Sequence, residues 1–275
     1  MASAQKRLDN SAWMLNFHAK NGALMRTHLV YDLPTRLFHW LFAGLFLTAY
    51  LIATFADHKS AAFPIHMLVG AVLCFVVLMR LLWGVVGTRH ARFASFALRP
   101  HDAFDYFKSI AAGAKGKIWG GHNPASSWAA ILMIGLALSL GITGYLMTAG
   151  GDREALEDVH EVLANVFLAV ALLHIAGVAL HVLRYRDGFP LSMIDGRKQL
   201  PDGHEAIPGA KAAAGLAMLV LAAGFAAYVA GNYSPASGTL RVFGQSLQLT
   251  EQEREQDAGH RAAAPGAASD HHDDR

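Results

Sequence analysis

Five apolar stretches dominate this chain: Leu37–Phe55, Ile65–Val86, Trp128–Thr148, Val159–Leu183 and Ala212–Ala230. Each is about as long as a helix needs to be to cross roughly 30 Å of hydrocarbon. In lipid a chain must satisfy its own backbone hydrogen bonds, and continuous apolar runs of this length do so as helices. Only 16% of the residues are charged and 53% are hydrophobic, whereas about a quarter of an ordinary soluble domain is charged. Proline and glycine punctuate the pattern. Pro34 and Pro64 open the first two spans, Asn123–Pro124 precedes the third, and Gly150–Gly151 closes it; Pro190, Pro201 and Pro208 separate the fourth span from the fifth. The expected fold class is an all-α membrane protein, a four-helix transmembrane bundle plus a fifth, C-terminal transmembrane helix.

Lysine and arginine cluster in alternate loops, which sets orientation by the positive-inside rule. Arg89, Arg92, Arg99, Lys108, Lys115 and Lys117 lie between spans two and three; Arg184, Arg186, Arg197, Lys198 and Lys211 lie between four and five. The opposite loops carry Lys59 and Arg153, the latter among Asp152, Glu154, Glu157 and Asp158. The N terminus is therefore expected in the cytoplasm and the C-terminal tail in the periplasm, with the protein in the bacterial inner membrane. Pro100–Lys117 reads as an amphipathic surface helix, with Phe104, Phe107 and Ile110 at helical spacing. Residues 1–30 lack a signal-peptide core and form an extension, with Met25 as an alternative start. Most of the tail 231–275 is expected to be disordered, and its His271–His272 pair reads as solvated rather than metal-binding.

Ionisable groups inside a membrane are costly and point to function. Spans one, two and four contain His39, His66, His160, His174 and His181. His160 and His174 are 14 residues apart, so they point within about 40° of each other at levels about 21 Å apart. Two imidazoles on one side of a helix at two depths suit two stacked haems; a dinuclear metal site would need ligands on adjacent turns. A single cysteine, Cys74, rules out a Cys-x-x-Cys-His attachment, so the haem would be b-type and non-covalent.

Each iron needs a second axial ligand. His66 opens span two at the level where His160 opens span four. His39 lies about 24 Å of helix from Phe55, and His174 about 22 Å from Val159, so His39 pairs with His174. His181 is seven residues beyond His174 and faces nearly the same way. Depth counted from the cytoplasmic ends makes it an axial candidate; depth counted across the short periplasmic loops puts it beside a haem propionate or a quinone headgroup, and the second count has less slack. Arg80, 14 residues after His66, repeats the spacing and matches a propionate with its forked donors, the competing reading being a side chain that snorkels to the interface.

These residues sit in recognisable strings. Tyr31-Asp-Leu-Pro-Thr-Arg-Leu-Phe-His39-Trp, His66 with Arg80-Leu-Leu-Trp-Gly84, Gly121-His-Asn-Pro124, and His160-Glu-Val-Leu-Ala-Asn165 with His174 and His181 resemble the prokaryotic cytochrome b561 family and the related b-type cytochrome subunits of nickel-iron hydrogenases, over roughly Val30 to Lys198. The resemblance implies a di-haem b transmembrane domain at 31–198, with axial ligands His39, His66, His160 and His174. It also implies electron exchange between the quinone pool and a periplasmic cytochrome c or redox-enzyme subunit. Arg80, His181, His122 and Asn123 are the expected cofactor contacts near a quinone at the cytoplasmic haem edge, and the acidic loop Asp152–Asp158 reads either as a docking surface for a basic cytochrome or as a solvated loop that follows from the positive-inside rule. Residues 199–230, a linker and fifth helix, lie outside the four-helix pattern. Two rival readings are a superoxide:ubiquinone oxidoreductase of the same fold, for which Lys59 and Arg153 are sparse cationic support, and a histidine-containing transporter, for which no broken-helix pair is present. No nucleic-acid partner is expected.

Overall fold

The computed structural model describes residues 25–57, 60, 62–113, 119–150, 152–185, 189–201 and 206–249. The extension 1–24, Lys59, the segment 114–118 and the tail from 250, with His271 and His272, lie outside the described residues. Among the described residues, five helices are long and apolar enough to span a membrane: α1 (Leu33–Phe55), α2 (Phe63–Val86), α4 (Pro124–Thr148), α5 (Arg153–Tyr185) and α7 (Ala212–Gly231). A surface helix, α3 (Pro100–Ala111), and a single turn, α6 (Ser192–Asp195), lie between them.

Helix starts are written in capping chemistry. Asp32 caps α1, accepting from Thr35 N at 2.9 Å, and Asn123 caps α4, accepting from Ser126 N at 2.8 Å; each is followed by a proline in the first turn. Several spans therefore begin earlier than their apolar cores. α1 starts four residues before Leu37, α4 four residues before Trp128 and α5 six residues before Val159, because caps and polar first turns form outside the hydrocarbon, where hydropathy carries no signal.

α1 packs on α2 and α4 on α5 as two hairpins, joined through α2 and α4, while α7 lies against α1 and α2. The interior is aromatic and aliphatic: Phe38, Phe42, Phe46, Leu73, Val76, Val77, Ile134, Ala137 and Phe167 are buried together, with Met218 and Ala222 from α7. With lipid as apolar as the core, close packing holds such helices together. Gly215 shows this: a Cβ there would meet Leu33 side-chain atoms at 2.6 Å, so only glycine lets α7 come so close to α1.

Two small sheets lie outside the spans. β1 (Met25–Leu29) pairs antiparallel with β2 (Arg197–Pro201), Met25 opposite Pro201 and Leu29 opposite Arg197. Gly196, at φ +80°, ends α6 in the left-handed region, and its carbonyl accepts from Val30 N and Tyr31 N. The second sheet occupies the first part of the segment that follows Gly231. Residues 233–248 form a meander of β3 (Tyr233–Ser234), β4 (Thr239–Val242) and β5 (Gln245–Gln248), held by a small core of Val229, Leu240 and Leu249. A Gly- and Ser-rich composition concealed those few apolar anchors. α3 ends at Ala111, short of the expected Lys117, with Phe104 and Phe107 exposed.

One end of the bundle, where α1 and α4 begin, carries Arg89, Arg92, Arg99 and Lys198 and is called the basic end here; the other, with Asp57, Asp152, Glu154, Glu157 and Asp158, is the acidic end.

Candidate functional site

At the acidic end, His66 in the first turn of α2 meets His160 of α5. Their ring centroids are 6.1 Å apart and the planes are inclined by 71°. Both rings are fixed through Nδ1. His66 Nδ1 donates to the Ala49 carbonyl at 2.8 Å; a carbonyl only accepts, so the proton is on Nδ1. His160 Nδ1 lies 2.8 Å from Thr143 Oγ1. With its proton turned to the Ser139 or Leu140 carbonyl of its own helix, each 3.1 Å away, that hydroxyl accepts from the imidazole. In each ring Nε2 is left as the lone-pair nitrogen. This is the tautomer a metal needs, fixed by the kind of outer-shell bond that accompanies metal-ligating histidines. Two imidazoles trans on one metal, each bonded at about 2.0–2.1 Å, would have centroids about 6.4 Å apart.

Fourteen residues along α5, on the same face, is His174; halfway between is Phe167. Phe167 is 2% exposed and stacks on Phe46 of α1 at 3.8 Å, with Phe42 at 5.5 Å. Phe46 is seven residues past His39, so this aromatic partition divides both helices at corresponding points. The bundle is shut at the partition and half open at the histidine levels, where His39, His66, His160, His174 and His181 are all only partly buried. Beside the rings there is room: Gly70 and Gly177 lie one turn past His66 and His174, and a Cβ at either would meet nothing within 4 Å.

At the basic end, His39 and His174 are within electrostatic reach of each other, and the buried Nδ1 of His39 has no hydrogen-bond partner among the described residues. Arg80 is 3% exposed. Its guanidinium lies 4.7 Å from the Phe93 ring, with Phe38 and Phe96 at 5.6 and 5.9 Å, and its Nη1 makes no hydrogen bond among the described residues. A buried guanidinium N–H with no acceptor is what an anionic ligand would satisfy. The nearest carboxylate, Asp32, is fully buried and already accepts from Thr35 N, Trp83 Nε1 and Thr88 Oγ1.

A chain of ring contacts runs from Arg80 across this end. Phe96 is 4.7 Å from His122, and Tyr31 is 5.2 Å from the other side of it. Lys198 Nζ sits 4.9 Å from the Tyr31 ring and 4.6 Å from Phe189, and the Phe189 ring is 4.6 Å from His181. Lys198 also donates to Tyr31 Oη at 3.1 Å and to the Gly121 carbonyl at 2.7 Å. Burial, then the charges of Lys198, Arg80, His90 and His174, holds the His122 imidazole well below its ordinary pKa; burial pushes the Tyr31 phenol up. Arg80, His122 and His181 are thus joined through aromatic rings. Asn123, next to His122 in the chain, caps α4 through Oδ1, and its Nδ2 donates to Tyr106 Oη at 3.2 Å. Thr143, Lys198, Tyr31 and Phe167 were not singled out from sequence as site residues.

Among the described residues no three His, Cys, Asp or Glu side chains converge as a metal-chelating group. At the acidic end the structure brings two imidazoles together, His66 and His160, which suits an ion that brings its remaining ligands with it, as haem iron does. The profile of prokaryotic cytochrome b561 matches residues 30–196. The chain belongs to that family. Membership makes it a multi-pass membrane cytochrome of b type, a family whose cofactor is haem b. This cytochrome b561 is also similar to two proteins named probable Ni/Fe-hydrogenase 1 B-type cytochrome subunit, from Escherichia coli K12 and O157:H7. Each is 34% identical over 80 residues, covering 24% of this chain and 34% of the relative. The chain thus spans about a third of those relatives in the match. A probable Ni/Fe-hydrogenase B-type cytochrome subunit of Rhizobium leguminosarum bv. viciae is 24% identical over 227 residues, covering 67% of this chain and 94% of the relative. No solved structure matches the chain.

Proposed function

We propose that this cytochrome b561 holds two haems b, one on each side of the Phe46–Phe167 partition, and carries electrons across the inner membrane between the quinone pool and a periplasmic redox subunit. The observation that carries the proposal is the His66–His160 pair: two imidazoles at about the separation one iron requires, each with Nδ1 tied down. His39 and His174 would hold the second haem, and Arg80 would pair with one of its propionates. Haem iron, when bound, supplies a one-electron carrier; the protein fixes its ligands and surrounds it with a low-dielectric aromatic wall.

The basic end faces the cytoplasm by the positive-inside rule. There His122, His181 and the Lys198–Tyr31 pair present donors beside aromatic rings, as a quinone headgroup requires, and Asn123 is next to His122 in the chain. The acidic end faces the periplasm, where Asp152, Glu154 and Glu157 meet a redox partner of opposite charge. The names of the relatives make a hydrogenase-type enzyme one candidate for that partner.

The test is haem counting with the purified protein. Replacing His160 with Ala should remove one haem and leave the other with its spectrum intact, and replacing His39 with Ala should remove the other. Loss of both from either change, or of neither, would refute two independent sites.

A further inference from the structure

Past the end of α7 the meander turns back on the helix it came from. The β4–β5 turn is made by Phe243 and Gly244, both in the left-handed region at φ +49° and +80°, with Val242 opposite Gln245 in the register. Two-residue hairpins of this kind normally place Asn, Asp or Gly first. A bulky Phe there is costly, and in water it gains nothing, because its side chain is 81% exposed.

Its surroundings suggest what offsets the cost. Phe243 N donates to Tyr228 Oη at 3.2 Å, and the Phe243 ring lies 5.8 Å from Tyr228 and 6.5 Å from Phe225. Tyr228 is on the outward face of α7, seven residues past Leu221, which is 56% exposed; the inward face is Gly215, Met218, Ala222 and Val229. The turn therefore hangs over the side of α7 that meets lipid. Tyr228 and Phe225 are three and six residues before the helix end at Gly231, about 4.5 and 9 Å down the helix. That is the depth at which interfacial elements bury their apolar groups, about 5–10 Å into the boundary between headgroups and acyl chains, and where aromatic residues collect.

We infer that the Phe243–Gly244 turn is an interfacial anchor: the meander inserts the Phe243 ring, alongside Tyr228, into the leaflet at the acidic end of the bundle. Its partner is the bilayer itself, reached along the lipid-facing side of α7. The β1–β2 sheet at the other end is tied to the bundle by buried protein contacts; the meander combines a protein core at Leu240 with a lipid-held tip.

The experiment uses the full chain with Cys74 replaced by Ala and one new cysteine, either Phe243→Cys or Ala236→Cys, the latter in the β3–β4 connection at the far end of the meander. Each is labelled with an environment-sensitive fluorophore and reconstituted into phosphatidylcholine vesicles, with bound haem checking that the fold is intact. Phospholipid carrying a nitroxide near the headgroup should quench the label at 243 about threefold more than at 236, and aqueous iodide should show the reverse order, as expected for a group within the interface. Equal iodide quenching at both positions would overturn the inference, and so would protection of 243 from both quenchers, which would mean that protein covers the tip. Phe243→Trp with brominated lipid, read against the unmodified protein, gives the same answer if the cysteine variant does not fold.

Discussion

Thr143→Val separates a histidine that is held for metal binding from one that merely fills the core. Valine keeps the shape of threonine and removes the hydroxyl that accepts from His160 Nδ1 at 2.8 Å. The two carbonyls it also touches, Ser139 and Leu140, are within the helix, so the change falls mainly on the imidazole. A half-buried Nδ1–H deprived of its acceptor costs about 1–3 kcal/mol. At about 1.4 kcal/mol per factor of ten, that is roughly a 5- to 150-fold loss, which brackets the 10- to 100-fold effect usual for outer-shell partners of ligating histidines. The expected result is a haem at the acidic end that is lost to excess apomyoglobin at least about tenfold faster, with the basic-end haem unaffected and Thr143→Ser close to wild type. Rates unchanged in Thr143→Val, or raised equally for both haems, would refute the assignment of His160 Nδ1 as a donor to Thr143 and with it the reading of Nε2 as the ligand atom.

Two further outcomes follow from the two ends of the bundle. His122 is neutral when folded because burial and the surrounding Lys198, Arg80, His90 and His174 oppose its proton, while the unfolded imidazole titrates near about 6.5. The unfolded state then binds more protons below that value, so stability is level above about pH 6.5 and falls on acidification by up to about 1.4 kcal/mol per pH unit. Denaturation midpoints across that range should show the slope, and His122→Phe should flatten it; an unchanged slope would place the titration elsewhere. At the acidic end, changing Asp152, Glu154 and Glu157 to Lys should slow electron transfer to a basic soluble cytochrome at low salt and lose the effect as screening sets in, measured by stopped-flow absorbance; equal rates at low salt would remove the docking role.

The spans and the histidine levels were legible because both rest on periodicity. Apolar length marks α1, α2, α4, α5 and α7, and a 14-residue spacing on α5 puts His160 and His174 on one face whatever surrounds them. Asn123-Pro124 carried a plain helix-start signature, and the structure shows Asn123 as the cap of α4. Thr143, by contrast, was hidden. It lies 17 residues before His160 on another helix, and nothing local distinguishes it from a threonine turned to its own backbone. Lys198 counted only toward the charge asymmetry of the loops, because its contact with Tyr31 spans 167 positions and depends on β1 pairing with β2. The meander was missed because Leu240 and Leu249 are too few to lift a Gly- and Ser-rich segment above the composition of a disordered tail.

The two levels are built on different principles, and the partition between them is what lets that matter. At the acidic end the imidazoles are held from within the bundle, by a backbone carbonyl of α1 and a hydroxyl of α4, both on neighbouring spans. At the basic end the groups around His174 and Arg80 come largely from loops and the β1–β2 sheet: Asp32, His122, Lys198 and Phe189. Helix packing alone therefore fixes the first level, whereas the second depends on segments that close over the bundle from outside the membrane. Phe46 and Phe167, stacked at 3.8 Å between the levels, keep a disturbance at one from opening a path to the other. On the proposed function, the quinone meets the loop-built end and the redox partner meets the helix-built end, where packed spans fix the geometry.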